Sequence, residues 1–189
     1  MTELQHYINS YFGISPEDMS QVSSLFQASE LKKGDYYLKA GQHCERMSFV
    51  IAGFIRIYAL KGDKEVTQWI APKGLFITDL YSFNFRQPAR WNIQALTDCK
   101  LYTIERENYT KLHSLVPNWA DMEKQFITSC FVAIEDRIFQ HLSLNAEERY
   151  DELFEQNKEL FNHVPLQYIA SMLGMTPETF SRIRSKKIS

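Results

Sequence analysis

The 189-residue chain has few cysteines, few glycines and almost no net charge. Its three cysteines, Cys44, Cys99 and Cys130, stand far apart, with no CxxC and no even set. That excludes a disulfide framework and points to reduced thiols in a cytoplasmic protein. Lys plus Arg number 21 against 23 Asp plus Glu, a formal charge of −2, so the chain does not grip nucleic acid by bulk charge. A local basic face remains open. No apolar run reaches the ~18 residues of a membrane span, and MTELQHYINS lacks the apolar stretch of a signal peptide. No GxSxG, Cys–His pairing or Gly-rich phosphate loop supports a hydrolase or NTPase, and the residue inventory points to no enzyme. His6, His43, His113, His141 and His163 are scattered along the chain, which argues against a metal site.

What is present is apolar and aromatic: 44% of the chain is hydrophobic and 14% is Phe, Trp or Tyr, enough for a packed core. Residues 4–25 read as two short helices broken at Gly13, the second opened by Ser15 as N-cap with Pro16 at its first position. Met19, Val22, Leu25 and Phe26 form its apolar stripe. From Tyr36 to Ile104 the pattern becomes short runs of aromatic and branched side chains, with strands predicted over 48–51, 54–60, 65–70, 92–96 and 100–104. Lys61-Gly62-Asp63-Lys64 is hairpin chemistry. Five of the seven glycines fall at Gly34, Gly41, Gly53, Gly62 and Gly74, the repeated turns of a small sandwich or jelly roll. Beyond Glu105 the chain turns helical, with one long helix from Trp119 to about Leu142 and another from Asn145 to Gln156. The fold class is therefore α+β: a double-stranded β-helix with flanking helices, a long helix and a helical tail. The boundary is expected near Ser143, giving units 1–142 and 143–189.

The tail carries the function. Pro165 opens a helix that buries Ile169, Met172 and Leu173, and Gly174 permits the left-handed turn that ends it. Thr176 caps a second helix with Pro177 first and Glu178 at its positive end, burying Phe180 and Ile183 and turning Thr179, Arg182 and Lys186 outward. Two short helices about a glycine turn describe a helix-turn-helix. Residues 164–189 hold Arg182, Arg184, Lys186 and Lys187 against Glu178, a local +3, which leaves −5 for the rest of a −2 chain. On periodicity alone, a helical hairpin with a solvated end fits equally well.

The segment Ile169 to Arg184, IA-xx-LG-xTPET-x-SRIR, resembles the DNA-recognition element of Crp/Fnr transcription regulators, in the form common in Bacteroidetes. The order of roll, long helix and helical tail is similar as well. The resemblance implies a cytoplasmic, homodimeric regulator of double-stranded DNA that contacts RNA polymerase and answers to a small-molecule effector. It implies that Glu178 and Arg182 read base edges, with glutamate accepting from cytosine and arginine donating to guanine. Thr176, Thr179 and Ser181 would touch phosphate or bases, and Lys186 phosphate. Pro177 stands where other members carry a base-reading arginine, so their operator is not expected. The strand pair of a full winged domain is not found, which implies lower affinity. No cysteine precedes Cys44, so the iron–sulfur cluster of some members is not expected.

The same resemblance gives the roll a cyclic-nucleotide cassette in degenerate form, and no cofactor is expected. Thr78 stands in the place of glycine and Asp79 in the place of glutamate. The phosphate arginine falls on Ala89, with Arg90 and Arg86 nearby; a one-residue slip along a strand turns a side chain to the other face. Thr78, Asp79, Arg86 and Arg90 are the candidate ligand residues, and cyclic AMP is not the expected effector. Along the long helix, Trp119, Met122, Phe126, Cys130, Ile134 and Ile138 form a stripe that can cover the roll or pair with a second copy; its length favours a homodimer interface. The alternative function is a ligand-binding or protein-interaction roll without specific DNA affinity.

Overall fold

A computed structural model describes residues 1–188. Helix α1 (Glu3–Phe12) begins at a capping box, in which Thr2 and Gln5 exchange side-chain and backbone hydrogen bonds, and ends at Gly13 in the left-handed region. Helix α2 (Pro16–Ser23) starts as its sequence directs, with the Ser15 hydroxyl accepting from the Asp18 N–H. Met19 and Val22 are buried, whereas Leu25 and Phe26 beyond the helix are half-buried.

Eight strands follow: β1 (Gln27–Leu31), β2 (Tyr36–Leu38), β3 (Arg46–Ala52), β4 (Ile55–Lys61), β5 (Lys64–Ala71), β6 (Phe76–Ile77), β7 (Asn92–Ala95) and β8 (Cys99–Glu105), with a short helix α3 (Leu80–Phe85) between β6 and β7. They make two antiparallel four-stranded sheets, β1-β8-β3-β6 and β2-β7-β4-β5. The predicted hairpin closes with Lys61 opposite Lys64, leaving Gly62 and Asp63 as its two-residue loop. In β4 the side chains of Ile55 and Ile57 face the space between the sheets, while Arg56 and Tyr58 face outward. A bulge beside them places Gln68 as the extra residue of β5, between Thr67 and Trp69.

The chain then forms α4 (Arg106–Leu115), α5 (Trp119–Ser143), α6 (Ala146–Gln156), α7 (Leu160–His163), α8 (Leu166–Met172) and α9 (Pro177–Ile188). The α+β roll with flanking and C-terminal helices is the architecture expected from the sequence. The first half of α5 closes the main core. Phe126 is 1% exposed and lies 4.8 Å from the Phe12 ring and 4.7 Å from the Phe76 ring, and Trp119 stacks at a tilt on Phe12 at 5.0 Å. These pairs fasten α1 and α5 to the roll through buried aromatic area.

A second core joins the tail to the roll. Phe54, Ile70 and Leu96, from the outer side of the second sheet, are buried together with Tyr150, Leu160, Phe161, Ile169, Met172, Phe180 and Ile183. Helix α8 lies on β5, the edge strand of that sheet. The roll and the helical tail are thus packed into each other.

Gly53, at φ +92, sets up β4 where it meets the turn before β8. A Cβ there would come within 2.5 Å of the Asp98 carbonyl oxygen and 2.6 Å of Cys99 Sγ. Gly53→Ala is expected to cost about 2–4 kcal/mol in urea unfolding, combining left-handed strain with overpacking; a loss under about 1 kcal/mol would show that this turn relaxes freely.

Candidate nucleic-acid interface and sensor cassette

The tail forms the expected pair of helices about a glycine turn. Pro165 precedes α8, which buries Ile169, Ala170 and Met172. Its end is a Schellman motif: the Met175 N–H donates to the Ala170 carbonyl at 2.9 Å and the Gly174 N–H to Ser171 at 3.1 Å. Gly174 takes φ +70 to allow this, and Leu173 and Met175 close over the turn as buried side chains. The Thr176 hydroxyl then accepts from the Thr179 N–H and caps α9, with Pro177 at its first position. Phe180 and Ile183 are buried, Phe180 at 5.3 Å from the Tyr150 ring of α6.

The outer side of α9 carries the residues proposed from sequence. Thr176, Glu178, Ser181, Arg182 and Lys186 are exposed, and Thr179 is half-buried against the cap. The Glu178 carboxyl is held below its ordinary value, first by its own backbone N–H at the helix start and then by the Thr176 hydroxyl, so at neutral pH it is a charged acceptor. Lys187, counted in the basic end, is drawn back instead: its ammonium lies 3.3 Å from Glu147 and 2.8 Å from Asp151, both on α6. That pair fastens the last turn of α9 and removes one cation from the outward face.

The candidate ligand residues Thr78 and Asp79 bond within the protein itself. Asp79 is 2% exposed; one carboxylate oxygen accepts from the Ser82 N–H at 2.9 Å and the other from the Arg90 N–H at 3.0 Å. One backbone donor at the start of α3, the Ser82 N–H, is therefore engaged by the Asp79 carboxylate, whose negative charge disfavours a second anion there. Thr78 donates to the Arg46 carbonyl at 3.1 Å and stands 3.4 Å from Cys44 Sγ. Ala89 is buried, its N–H donating to Gln42 and its carbonyl accepting from Gly41. Arg86 is exposed at the left-handed end of α3, and Arg90 is exposed with its guanidinium 4.9 Å from the Tyr81 ring centre. The four candidates do not converge. Thr78 and Asp79 are structural here, because their polar atoms are already satisfied, and both arginines point to solvent rather than to Asp79.

An arginine that sequence reasoning passed over organises this corner. Arg106, at the start of α4, pairs through Nε with Glu45 at 2.6 Å, and its other nitrogens donate to the carbonyls of Cys44, Ser82 and Phe83. It holds the C-terminal carbonyls of α3 against the β2–β3 connection. Its position at the end of a strand, next to a run of helical residues, offered no distinguishing signal.

Burial divides the long-helix stripe at its midpoint. Trp119 and Phe126 are buried against α1 and the roll, so the area of these two is taken up within the chain's own core, whereas Met122 and Cys130 are half-buried and keep part of their surface open. Ile134 and Ile138 are exposed. They continue with Phe131 and Leu142 along one face at helical spacing, Leu142 being 82% exposed and the neighbouring Phe139 69%.

Two cavities adjoin the tail. One of about 430 Å³ lies between the β4–β5 hairpin and the helix-turn-helix, lined among others by Lys64, Glu65, Tyr168 and Thr176. The other, of about 240 Å³, lies where α5, α6 and α8 meet, beside Trp69, Arg137 and Arg149. Neither is lined by Thr78, Asp79, Arg86 or Arg90. Among the described residues no helix is long and apolar enough to cross a membrane, and no three His, Cys, Asp or Glu side chains cluster as metal ligands.

Residues 28–114 match the family model of the cyclic nucleotide-binding domain. In structure, the chain is similar to FixK2 from Bradyrhizobium japonicum, with a TM-score of 0.72 at 19% identity over 85% of this chain and 83% of that one. It is similar to a protein placed in the Crp/Fnr family of transcriptional regulators from Eubacterium rectale, with a TM-score of 0.70 at 18% identity over 97% and 88% of the two chains. It is also similar to a CooA variant from Carboxydothermus hydrogenoformans, at 0.67 and 20% identity over 98% and 84%. Among curated proteins none is significantly similar in sequence. The likeness to a cyclic nucleotide-binding domain thus spans residues 28–114, and the fold extends over nearly the whole length of a neighbour described as of the Crp/Fnr family.

Because Asp79 already accepts the Ser82 and Arg90 N–H groups while Arg86 and Arg90 face solvent, cyclic AMP at about 1 mM is expected to move Tm by less than about 1 °C in a thermal-shift assay. A rise of several degrees would show Arg90 or Arg86 turning inward to bind it.

Proposed function

We propose that this chain is a DNA-binding transcription regulator of the Crp/Fnr type, in which residues 1–142 serve as sensor and residues 143–189 as reader. One observation carries the reading: α9 stands on a hydrogen-bonded Schellman turn and presents Glu178 and Arg182 to solvent on its outer side. The two groups are chemically suited to cytosine and guanine edges, and Thr176, Thr179, Ser181 and Lys186 surround them as donors to phosphate. Fold-level likeness to known regulators supports the same reading.

The working form we infer is a homodimer. The second half of α5 exposes Phe131, Ile134, Ile138 and Leu142 on one face, an apolar strip that a twofold partner would cover. Two recognition helices related in this way suit half-sites about 34 Å apart on a pseudo-palindrome. The effector remains a small molecule other than cyclic AMP, and the protein acts without catalysis, in the cytoplasm.

The test is binding to DNA selected from random duplexes, measured across a salt series. The wild type should enrich a pseudo-palindromic site and lose affinity steeply as salt rises. Arg182→Ala should weaken the selected site by about 10-fold or more and relax one base position, while Lys186→Ala should weaken all duplexes alike and reduce the salt slope by about 1. Equal, weak binding to every duplex would instead favour a ligand-binding or protein-interaction module.

A further inference from the structure

The outer face of the second sheet holds a charged side chain out of water. Arg56 is 1% exposed. Its Nε donates to the Thr67 hydroxyl at 3.0 Å and its Nη1 to Glu65 at 2.6 Å, so two of its donors are engaged by β5. Its flat guanidinium lies between two tyrosine rings, 4.1 Å from the centre of Tyr58 and 3.7 Å from that of Tyr168. Tyr58 belongs to the sheet; Tyr168 belongs to α8, the first helix of the reader. One turn on, the Thr67 N–H, freed at the bulge of β5, donates to Ser171 Oγ at 2.9 Å. An edge strand thus spends a backbone donor on the reader helix.

The far end of α8 is fixed by a different set of groups. Arg137 of α5 donates to the Met172 carbonyl at 3.2 Å, and Arg149 of α6 donates to the Leu173 carbonyl at 3.1 Å. Arg137 also lies 4.7 Å from the centre of the Trp69 ring on β5. Helix α8 is therefore located by the sensor sheet at one end and by the long helix at the other. The recognition helix follows from α8 through the short Gly174 turn, so it inherits whatever orientation α8 is given.

We propose that Arg56 and Tyr168 form a clamp that positions the reader on the sensor sheet, Arg56 acting through Tyr168 on the angle at which α9 meets DNA. This rests on the DNA-binding reading above and deepens it. Only arginine combines a planar cation that stacks on both faces with side-on donors to Thr67 and Glu65. A buried cation with such partners has a defined geometry, and a groove-reading helix needs a rigid support to keep its contacts. Signals that shift the β4–β5 hairpin would then reach α9 directly, without passing along α5.

The experiment compares Tyr168→Ala and Tyr168→Phe with the wild type on selected and random DNA, together with tryptic cleavage after Arg182 and Arg184. Tyr168→Ala should lower affinity for the selected site at least 10-fold, leave non-specific affinity and the salt slope within about twofold, and speed cleavage about 10-fold. Tyr168→Phe keeps the ring face and should behave as wild type in all respects. Selected-site affinity within twofold of wild type for Tyr168→Ala overturns the clamp. So does a loss shared equally by selected and random DNA. Should the wild type show no specific binding at all, the regulator reading fails, while the clamp is still judged by cleavage: an unchanged rate in Tyr168→Ala refutes it.

Discussion

The outer face of the β2-β7-β4-β5 sheet is built to be covered. It offers Phe54, Ile70 and Leu96, buried together with side chains of the C-terminal helices, and Arg56, buried with the Tyr168 ring of α8 against its guanidinium. Apolar area of this kind stabilises burial by roughly 25 cal/mol per Å², and the stacked cation loses hydration that its tyrosine, threonine and glutamate partners replace. The helix-turn-helix is in consequence part of the same packed body as the roll. Its Schellman turn, its Thr176 cap and the Lys187 tie to α6 then fix the exposed side of α9 relative to that body.

This arrangement bears on how the proposed sensor and the proposed reader would be coupled. The Asp79 carboxylate accepts the Ser82 and Arg90 N–H groups, and Arg106 donates to the α3 carbonyls of Ser82 and Phe83. A small anion entering there meets a fixed negative charge. The two cavities that adjoin the C-terminal helices lie instead beside α8, one at the β4–β5 hairpin and one at the long helix. The end of α5 beyond Cys130 leaves its apolar face open, the place where a second subunit would add its own constraint on the same helix.

Local rules made much of this legible in the sequence. Thr176-Pro177-Glu178 and Ser15-Pro16 start helices because a hydroxyl cap and a fixed proline φ act within one turn, and Gly62-Asp63 makes a hairpin for equally short-range reasons. The stripe on α5 was legible as a stripe, but periodicity assigns residues to a face and not to a partner. Trp119 and Phe126 meet α1 and the roll, whereas Ile134 and Ile138 lie past the roll's edge. The resemblance puts Asp79 in the place of a ligand-binding glutamate but says nothing of its local geometry; the structure sets it at the N-cap of α3, where its short side chain accepts from the Ser82 N–H. Lys187 looked free because its carboxylates come from another helix. Arg56 and Tyr168 were illegible as a pair, since each lies in an ordinary amphipathic element far from the other in sequence. The one available hint was β4 itself, where Phe54 to Leu60 is interrupted only by Arg56, the pattern of a strand covered on both faces.

Segment-resolved hydrogen exchange in low concentrations of urea tests the central claim most directly. If the reader is carried by the sensor sheet, amides of α8 and the buried side of α9 should open with the same free energy and the same urea dependence as those of β4 and β5. Amides of α8 and α9 that exchange fast and without urea dependence, while β4 and β5 stay protected, would contradict it and leave the helix-turn-helix as an independently hinged unit.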